Sequence, residues 1–444
     1  SHGCSGDIWR RDYRNPSWDE NDTIEAYANG LLDIAMTIYR SISYKKDVDL
    51  AMVEQRMTIP YRVPDLQRLE WAKKIVAGMG DRLAKDRTEV YAREQILLHE
   101  RKETEVVVQA LRIGDIAIAT SPCETYAVTG LKIKAASPLK NTIVIELANG
   151  GDGYIPPPEQ HQFGGYNTWA ARSAGLAVNA EPKIAEAAIS SLEKVTGKPR
   201  RAWELQPGEG TKTVLRLKPL AYWRLNEFSG PIATDASGNH NVATFESAIT
   251  YYLEGPQAVA FAGKEEINRA PHFVGDRLYA KLPGVKDRYT VSLWVWNGLP
   301  KDVRDVSGWV FSRGHSYGLS EHGDHLGVSG KGPEADRLRF LRGQGAIPAM
   351  HGQNAVPRWD WRHVAFVRDG SKVRIWLDGR LEIETDSPAV ATPELDSWFF
   401  GGRSDGDSSW EGRLDEIAVF DRALKPKEIE QLSGGVRTRQ TAAR

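Results

Sequence analysis

Cysteine is almost missing from this chain: there are two, Cys4 and Cys123, in 444 residues. Two thiols make no disulfide framework, and they stand either as one bridge or as two buried thiols. An excess of one charge is missing as well. Fifty-eight Lys and Arg against 59 Asp and Glu leave a formal net charge of −1, which argues against a nucleic-acid or anionic-membrane partner held by bulk electrostatics. No apolar run approaches the roughly 18 residues of a membrane span, so no transmembrane segment is expected. The chain opens Ser-His-Gly-Cys-Ser-Gly-Asp, without an initiator Met or a signal-like apolar region, as expected of a piece cut from a longer protein.

What is present is ordinary globular material, 41% hydrophobic and 26% charged, and too long for one hydrophobic core. Two domains are the expectation. Fourteen Trp are many for this length; most serve cores, but such rings also form the flat platforms of sugar-binding surfaces.

Residues 1–205 read as α/β. Asp22 or Thr23 caps a helix whose apolar positions Ile24, Tyr27, Leu31, Ile34, Ala35 and Ile38 keep the helical period. Pro64 and Asp65 open a second helix, and Pro182 a third that Gly197 ends. Val106–Leu111, Ile116–Ala119 and Thr142–Leu147 are strand candidates, while Glu124–Ile133 reads as helical. Gln206 to Thr213, bracketed by Pro207, Gly208 and Gly210, reads as a polar linker spanning 206–216. Beyond it lies a strand-and-turn region, 217–434, with 435–444 as a tail. In that region Val291, Leu293 and Val295 alternate with Ser292, Trp294 and Trp296. Val364 and Phe366 alternate likewise, as do Val373, Ile375 and Leu377, and the turns Asp369-Gly370 and Asp378-Gly379 make an antiparallel meander.

Three ordered strings mark this second part. They are Ala221-Tyr222-Trp223-Arg224-Leu225-Asn226-Glu227 with Asp235-Ala236-Ser237-Gly238-Asn239; Trp361-Arg362-His363-Val364-Ala365 running to Trp376-Leu377-Asp378-Gly379; and Gly412-Arg413-Leu414-Asp415-Glu416-Ile417 onward to Leu424. Together they resemble laminin G-like, concanavalin-type jelly rolls. The resemblance implies an all-β, two-sheet sandwich that recognises glycans, proteins or a neighbouring domain. Some members of that family bind calcium between the first turn and the last strand, and Asp235, Asn239 and Asp415 offer oxygen ligands of that kind. The alternative is an Asx turn at Asp235 and Asn239, with Asp415 a buried strand residue. His315, His322, Asp324 and His325 match no compact metal motif and read as a polar hairpin loop. Trp294 and Trp376, placed opposite the core positions by the alternation, would form either a sugar platform or a dock for the first domain.

In residues 1–205 three motifs run in order: Gly6-Asp7-Ile8, then Pro122-Cys123-Glu124-Thr125, then Asn149 to Tyr154. They resemble the C-terminal part of the neutral, non-lysosomal ceramidase family. That resemblance implies a zinc ion held by two histidines, a glutamate and a tyrosine, the last two mapping onto Glu124 and Tyr154, with Asp7 orienting the site or binding substrate. A carboxylate and a phenolate are competent zinc ligands, and zinc with an open position activates water against an amide or ester carbonyl. Read without the family, Glu124 favours a helix dipole and Tyr154 is a packed aromatic. Two departures stand out. The family's histidine ligands lie upstream of the Gly-Asp motif, and Trp9 occupies the position of its catalytic serine; an indole is no nucleophile.

The leading expectation is a fragment of a secreted or periplasmic zinc-dependent hydrolase. It would act on a lipid-like or other amide or ester substrate and carry a recognition module for a glycan or cell-surface ligand. The alternative is a non-catalytic surface- or carbohydrate-binding protein with a degenerate hydrolase-like domain. Trp9 favours the second reading; Glu124 together with Tyr154 favours the first.

Overall fold

The computed structural model describes residues 3–7, 23–202, 204–256, 258–263, 266–316, 318, 322–343, 348–388 and 395–434. Trp9 and the tail 435–444, both weighed in the sequence, lie outside them, as does His2. The chain divides into two compact units, Ser1–Trp203 and Glu204–Arg444.

The first unit is built on a four-stranded sheet in the order Leu50–Pro60, Glu103–Ile113, Ile116–Thr120, Asn141–Ile145. The first two pairings are antiparallel and the last is parallel. Gly114, at φ 61°, makes the tight return between Glu103–Ile113 and Ile116–Thr120. Val106, Val108, Ala110, Ala117, Ala119 and Val144 share one core with Ile184, Ala188, Leu192 and Val195 of helix Ala180–Thr196. The small alanines on both surfaces let helix and sheet approach closely. Gly197 ends that helix in the left-handed conformation, as its position in the sequence predicts.

Two local expectations change. The stretch read as one helix from Glu124 is instead a short strand, Glu124–Thr125, followed by helix Ala127–Ala136. Glu124 is drawn into a backbone pairing that propensity alone does not show. Helix Ile24–Ser41 forms as its period predicts, capped by Thr23, but none of its residues is buried among the described residues.

The second unit is a sandwich of two eight-stranded antiparallel sheets. One sheet runs Ile249–Glu254, Arg269–Val274, Glu411–Phe420, Arg288–Asn297, Trp361–Asp369, Lys372–Leu377, Arg380–Asp386, with Ala221–Trp223 also beside Glu411–Phe420. The other runs Met350–Ala355, Arg337–Arg342, Asp324–Ser329, Val306–Gly314, Ser397–Phe400, Leu278–Lys281, Ala243–Phe245, Ile232–Ala233. Val291, Leu293, Val295, Val364, Phe366, Ile375 and Leu377 are all buried, the inward set that the alternation predicts. Asp378 at φ 49° and Gly379 at φ 77° form the mirror-image turn that suits the twist of the hairpin they close.

The polar linker is corrected. Glu209–Arg216 is a helix of the second unit, and Val214 packs with Tyr222, Phe420 and Ile429 over the outer face of the first sheet. Helix Pro426–Leu432 joins the same cluster. Helix Glu209–Arg216 buries only Thr211 and Val214, too few apolar positions for a periodic signal to stand out.

Candidate functional site

In the first unit, Glu124 and Tyr154 are direct partners across a parallel two-stranded pairing. The Glu124 N–H also donates to the Gly153 carbonyl at 2.9 Å. Gly153 sits at φ 79°, and a Cβ there would stand 2.3 Å from the Ser173 carbonyl oxygen, so only glycine permits this approach. Interaction with the Glu124 carboxylate comes first, ahead of burial, among the causes that push the Tyr154 phenol up to about 12. Tyr166 lies edge-on to Tyr154, with centroids 5.7 Å apart.

Asp7 is hydrogen-bonded to the backbone that follows Glu124. Its Oδ1 accepts the Ala127 N–H at 2.7 Å, at the start of a helix whose N-cap residue, Tyr126, offers no side-chain cap. The neighbouring Gly6 N–H donates to the Thr125 carbonyl at 2.9 Å. A Cβ at Gly6 would stand 2.8 Å from the Glu124 carbonyl oxygen. Asp7 therefore fixes the backbone just after Glu124. Burial raises its carboxyl above the usual range. Glu146, which the sequence reading passed over, does the same work from the other side. Its Oε2 accepts the Thr125 N–H at 2.6 Å and its Oε1 accepts the Ser5 hydroxyl at 2.6 Å. A buried carboxylate at a strand end carries no sequence signature beyond its charge.

Zinc needs four ligands, and Glu124 and Tyr154 fit two of those positions by donor type. Among the described residues no three His, Cys, Asp or Glu side chains gather in a metal-holding group. His161 lies 3.5 Å from Arg62 Nη1 through its Nδ1, and burial pushes it down to about 4. Cys4 and Cys123 are free thiols.

In the second unit, the three oxygen residues considered for calcium do not converge. Asp235 is spent on backbone: Oδ1 accepts from Tyr222 and Ser237, each at 2.9 Å, and Oδ2 accepts from Asn241 at 2.8 Å. Asn239 donates through Nδ2 to the Leu220 carbonyl at 3.0 Å. Asp415 is fully buried and accepts from Asn268 Nδ2 at 2.7 Å. The Asx-turn alternative describes the first two. The platform is also corrected. Trp294 is only 3% exposed, covered by Phe261 at 5.7 Å and His363 at 5.6 Å between centroids. Trp376 is half-buried against the cluster of Val214 and Ile429. Neither ring is offered to solvent as a flat face, because elements of the same unit cover the sheet. Asp324 and His325 lie buried in strand Asp324–Ser329 rather than in a hairpin loop.

The two-sheet sandwich, with its last strand Glu411–Phe420 between Arg269–Val274 and Arg288–Asn297, agrees with the family comparison. Residues 275–430 match the Concanavalin A-like lectin/glucanases superfamily. The second unit carries a laminin G-like jelly roll. The strands Ala221–Trp223 to Arg269–Val274, outside that match, complete its sheets. No curated protein matches the chain. Among solved structures the chain is similar to domain 4 of an extracellular arabinanase from Geobacillus stearothermophilus in complex with arabinotriose. That match has 21% identity, covers 49% of this chain and 98% of the other, and has a TM-score of 0.36. Trypanosoma rangeli sialidase matches at 16% identity over 48% of this chain and 32% of its own, with a TM-score of 0.36. The binding domain of Paraclostridial Mosquitocidal Protein 1 matches at 12% identity over 50% and 53%, with a TM-score of 0.37. The family match lies wholly within the jelly roll.

Proposed function

We propose that the first unit is part of a zinc-dependent hydrolase of amide or ester bonds, with the jelly roll as its recognition module. One observation carries this reading: Glu124 and Tyr154, at separate places in the sequence, are register partners across a parallel pairing. In this proposal Glu124 and Tyr154 are two oxygen ligands, and the remaining positions are filled from outside the described residues. Zinc held there would act as a Lewis acid on a carbonyl and lower the pKa of bound water to about 7. The Glu124 carboxylate and burial push the Tyr154 phenol up to about 12, so loading the site requires its proton to leave. Asp7 is a positioning residue that holds the turn after Glu124. The substrate we propose is lipid-like or another amide or ester. The setting we propose is extracellular or periplasmic.

Calorimetric titration with zinc tests the ligand pair. Weak binding by the intact chain that disappears in both Glu124→Gln and Tyr154→Phe supports it; a zinc affinity unchanged by either substitution defeats it. The second reading, a non-catalytic glycan-binding protein, draws support from the lectin and glucanase family matched by residues 275–430. A concavity of about 200 Å³ lined by Asn354, Arg362, Asp378 and Glu382 is the polar site proposed for such a ligand, in place of the covered tryptophans.

A further inference from the structure

Helices Leu66–Ala77 and Arg87–Arg101 and the segment at Trp169 line an open cavity of about 400 Å³ in the first unit. That size falls within the range of small-molecule sites. Its walls are aromatic: Trp71, Tyr91 and Trp169, with Tyr91 edge-on to Trp169 at 5.4 Å between centroids. Two guanidinium groups lie on these rings. Arg68 stands 4.6 Å over Trp71 and Arg87 stands 5.6 Å over Trp169.

Stacking on a ring fixes the plane of a guanidinium and leaves its N–H edge to bind an oxyanion in two-point fashion. The acidic neighbours are already committed. Glu89 pairs with Arg82, and Glu94 pairs with Arg172 at 2.8 Å. Among the described residues no carboxylate pairs with the side chain of Arg68 or Arg87. Two cations without a paired carboxylate among the described residues therefore face a pocket with aromatic walls, and Trp169 still leaves 37% of its surface to solvent. A bare anion would leave the rings unused, and a neutral apolar ring would leave both cations unmatched.

We propose that this cavity binds an organic anion: a carboxylate, sulfate or phosphate carried on a ring with an apolar face. Neither Glu124 nor Tyr154 lines this cavity, and the proposal does not depend on the hydrolase reading. Aromatic acids and acidic sugars share this chemistry, and the two sources are separable by titration.

The intact chain is titrated calorimetrically with naphthalene-2-carboxylate, digalacturonate, 2-naphthalenemethanol and sodium sulfate. We expect one equivalent of naphthalene-2-carboxylate or digalacturonate to bind, and the tighter of the two names the source. The neutral naphthalene and sulfate alone should each bind at least tenfold more weakly than that anion. Arg68→Gln and Arg87→Gln should each weaken it at least fivefold, with circular dichroism unchanged, while Arg93→Gln, on the same helix but outside the cavity, should not. The proposal is overturned if neither anion binds at millimolar concentration. Equal binding of the neutral ring, or unchanged affinity in both arginine variants, overturns it too.

Discussion

Arg368 and Asp324 tie the two sheets of the jelly roll together: the Arg368 Nε donates to Asp324 Oδ2 at 2.6 Å, one residue in each sheet. Both are buried, and the Tyr289 hydroxyl donates to the same carboxylate. The remaining N–H groups of Arg368 are used as well, Nη1 donating to the Ser387 carbonyl at 2.9 Å. A buried pair with its donors and acceptors matched is costly to break from one side, because the surviving charge has no water to return to.

Arg368→Met should therefore destabilise the jelly roll by about 3–5 kcal/mol. The double variant Arg368→Met/Asp324→Leu should lose much less than the sum of the two single changes, since it leaves no orphan charge. Denaturant unfolding of the four proteins measures the cycle. Simple additivity would show that the pair is not a unit.

The pair illustrates what the sequence could and could not disclose. Period-two alternation placed Val291 to Val295 and Val373 to Leu377 on the inner face, because a strand's sidedness is local. What covers the other face is not local. Trp294 is buried by Phe261, and Trp376 packs on a cluster that includes Val214, residues that no periodicity connects to them. The approach of Glu124 to Tyr154 was legible through motif order in a family resemblance. The role of Asp7 was not, since it caps a helix 120 positions away in the chain.

Asp7→Ala should lower the stability of the first unit by about 1 kcal/mol, the usual loss for removing a helix cap. Asp7→Asn should lose only part of that, since its amide oxygen can still accept the Ala127 N–H. Thermal unfolding followed through the first unit's signal distinguishes the two. Equal losses in Ala and Asn would point to the charge, and not the cap, as the stabilising feature.

Stability should also depend on pH through Glu416. Burial pushes this carboxyl up to about 7, with Asp415 beside it raised as well. The folded state thus holds the proton more tightly than the unfolded chain. The resulting stabilisation is complete below the ordinary carboxylate value of 4.5 and is lost as pH rises through about 7. Glu416→Gln keeps an acceptor for the Tyr222 hydroxyl, which donates to Glu416, and has nothing to ionise. Relative to the native chain it should therefore gain about 2–3 kcal/mol between pH 4.5 and pH 8. His363 and His325, pushed down by burial to about 3 and about 4, act in the opposite sense, with stability lost as pH falls below 6.5. They are common to both proteins and cancel in the difference. A difference that stays flat with pH would mean that Glu416 is ionised in the folded state throughout.

The last prediction concerns where the jelly roll begins. Read as strands alone, it starts near Ala221, but the preceding segment is knitted into it. Arg224 Nη1 donates to the Leu205 carbonyl at 2.7 Å, Pro207 bridges Ala262, and the Gly208 N–H donates to the Phe261 carbonyl at 3.2 Å. A Cβ at Gly208 or at Gly210 would stand 2.6 Å from the Ala260 carbonyl oxygen, so the backbones are in close contact there. Helix Glu209–Arg216 then lays Val214 onto Tyr222, Phe420 and Ile429. A fragment beginning at residue 217 uncovers those apolar groups and strips a carbonyl from a buried guanidinium. It should be less stable than a fragment of residues 204–434 by about 3–6 kcal/mol, the combined scale of one buried aliphatic side chain and one lost hydrogen bond to a charge. Both should unfold cooperatively in urea, with the shorter one showing the lower midpoint. Equal midpoints would return the segment to the role of a linker and remove the reason for assigning its helix to the sandwich.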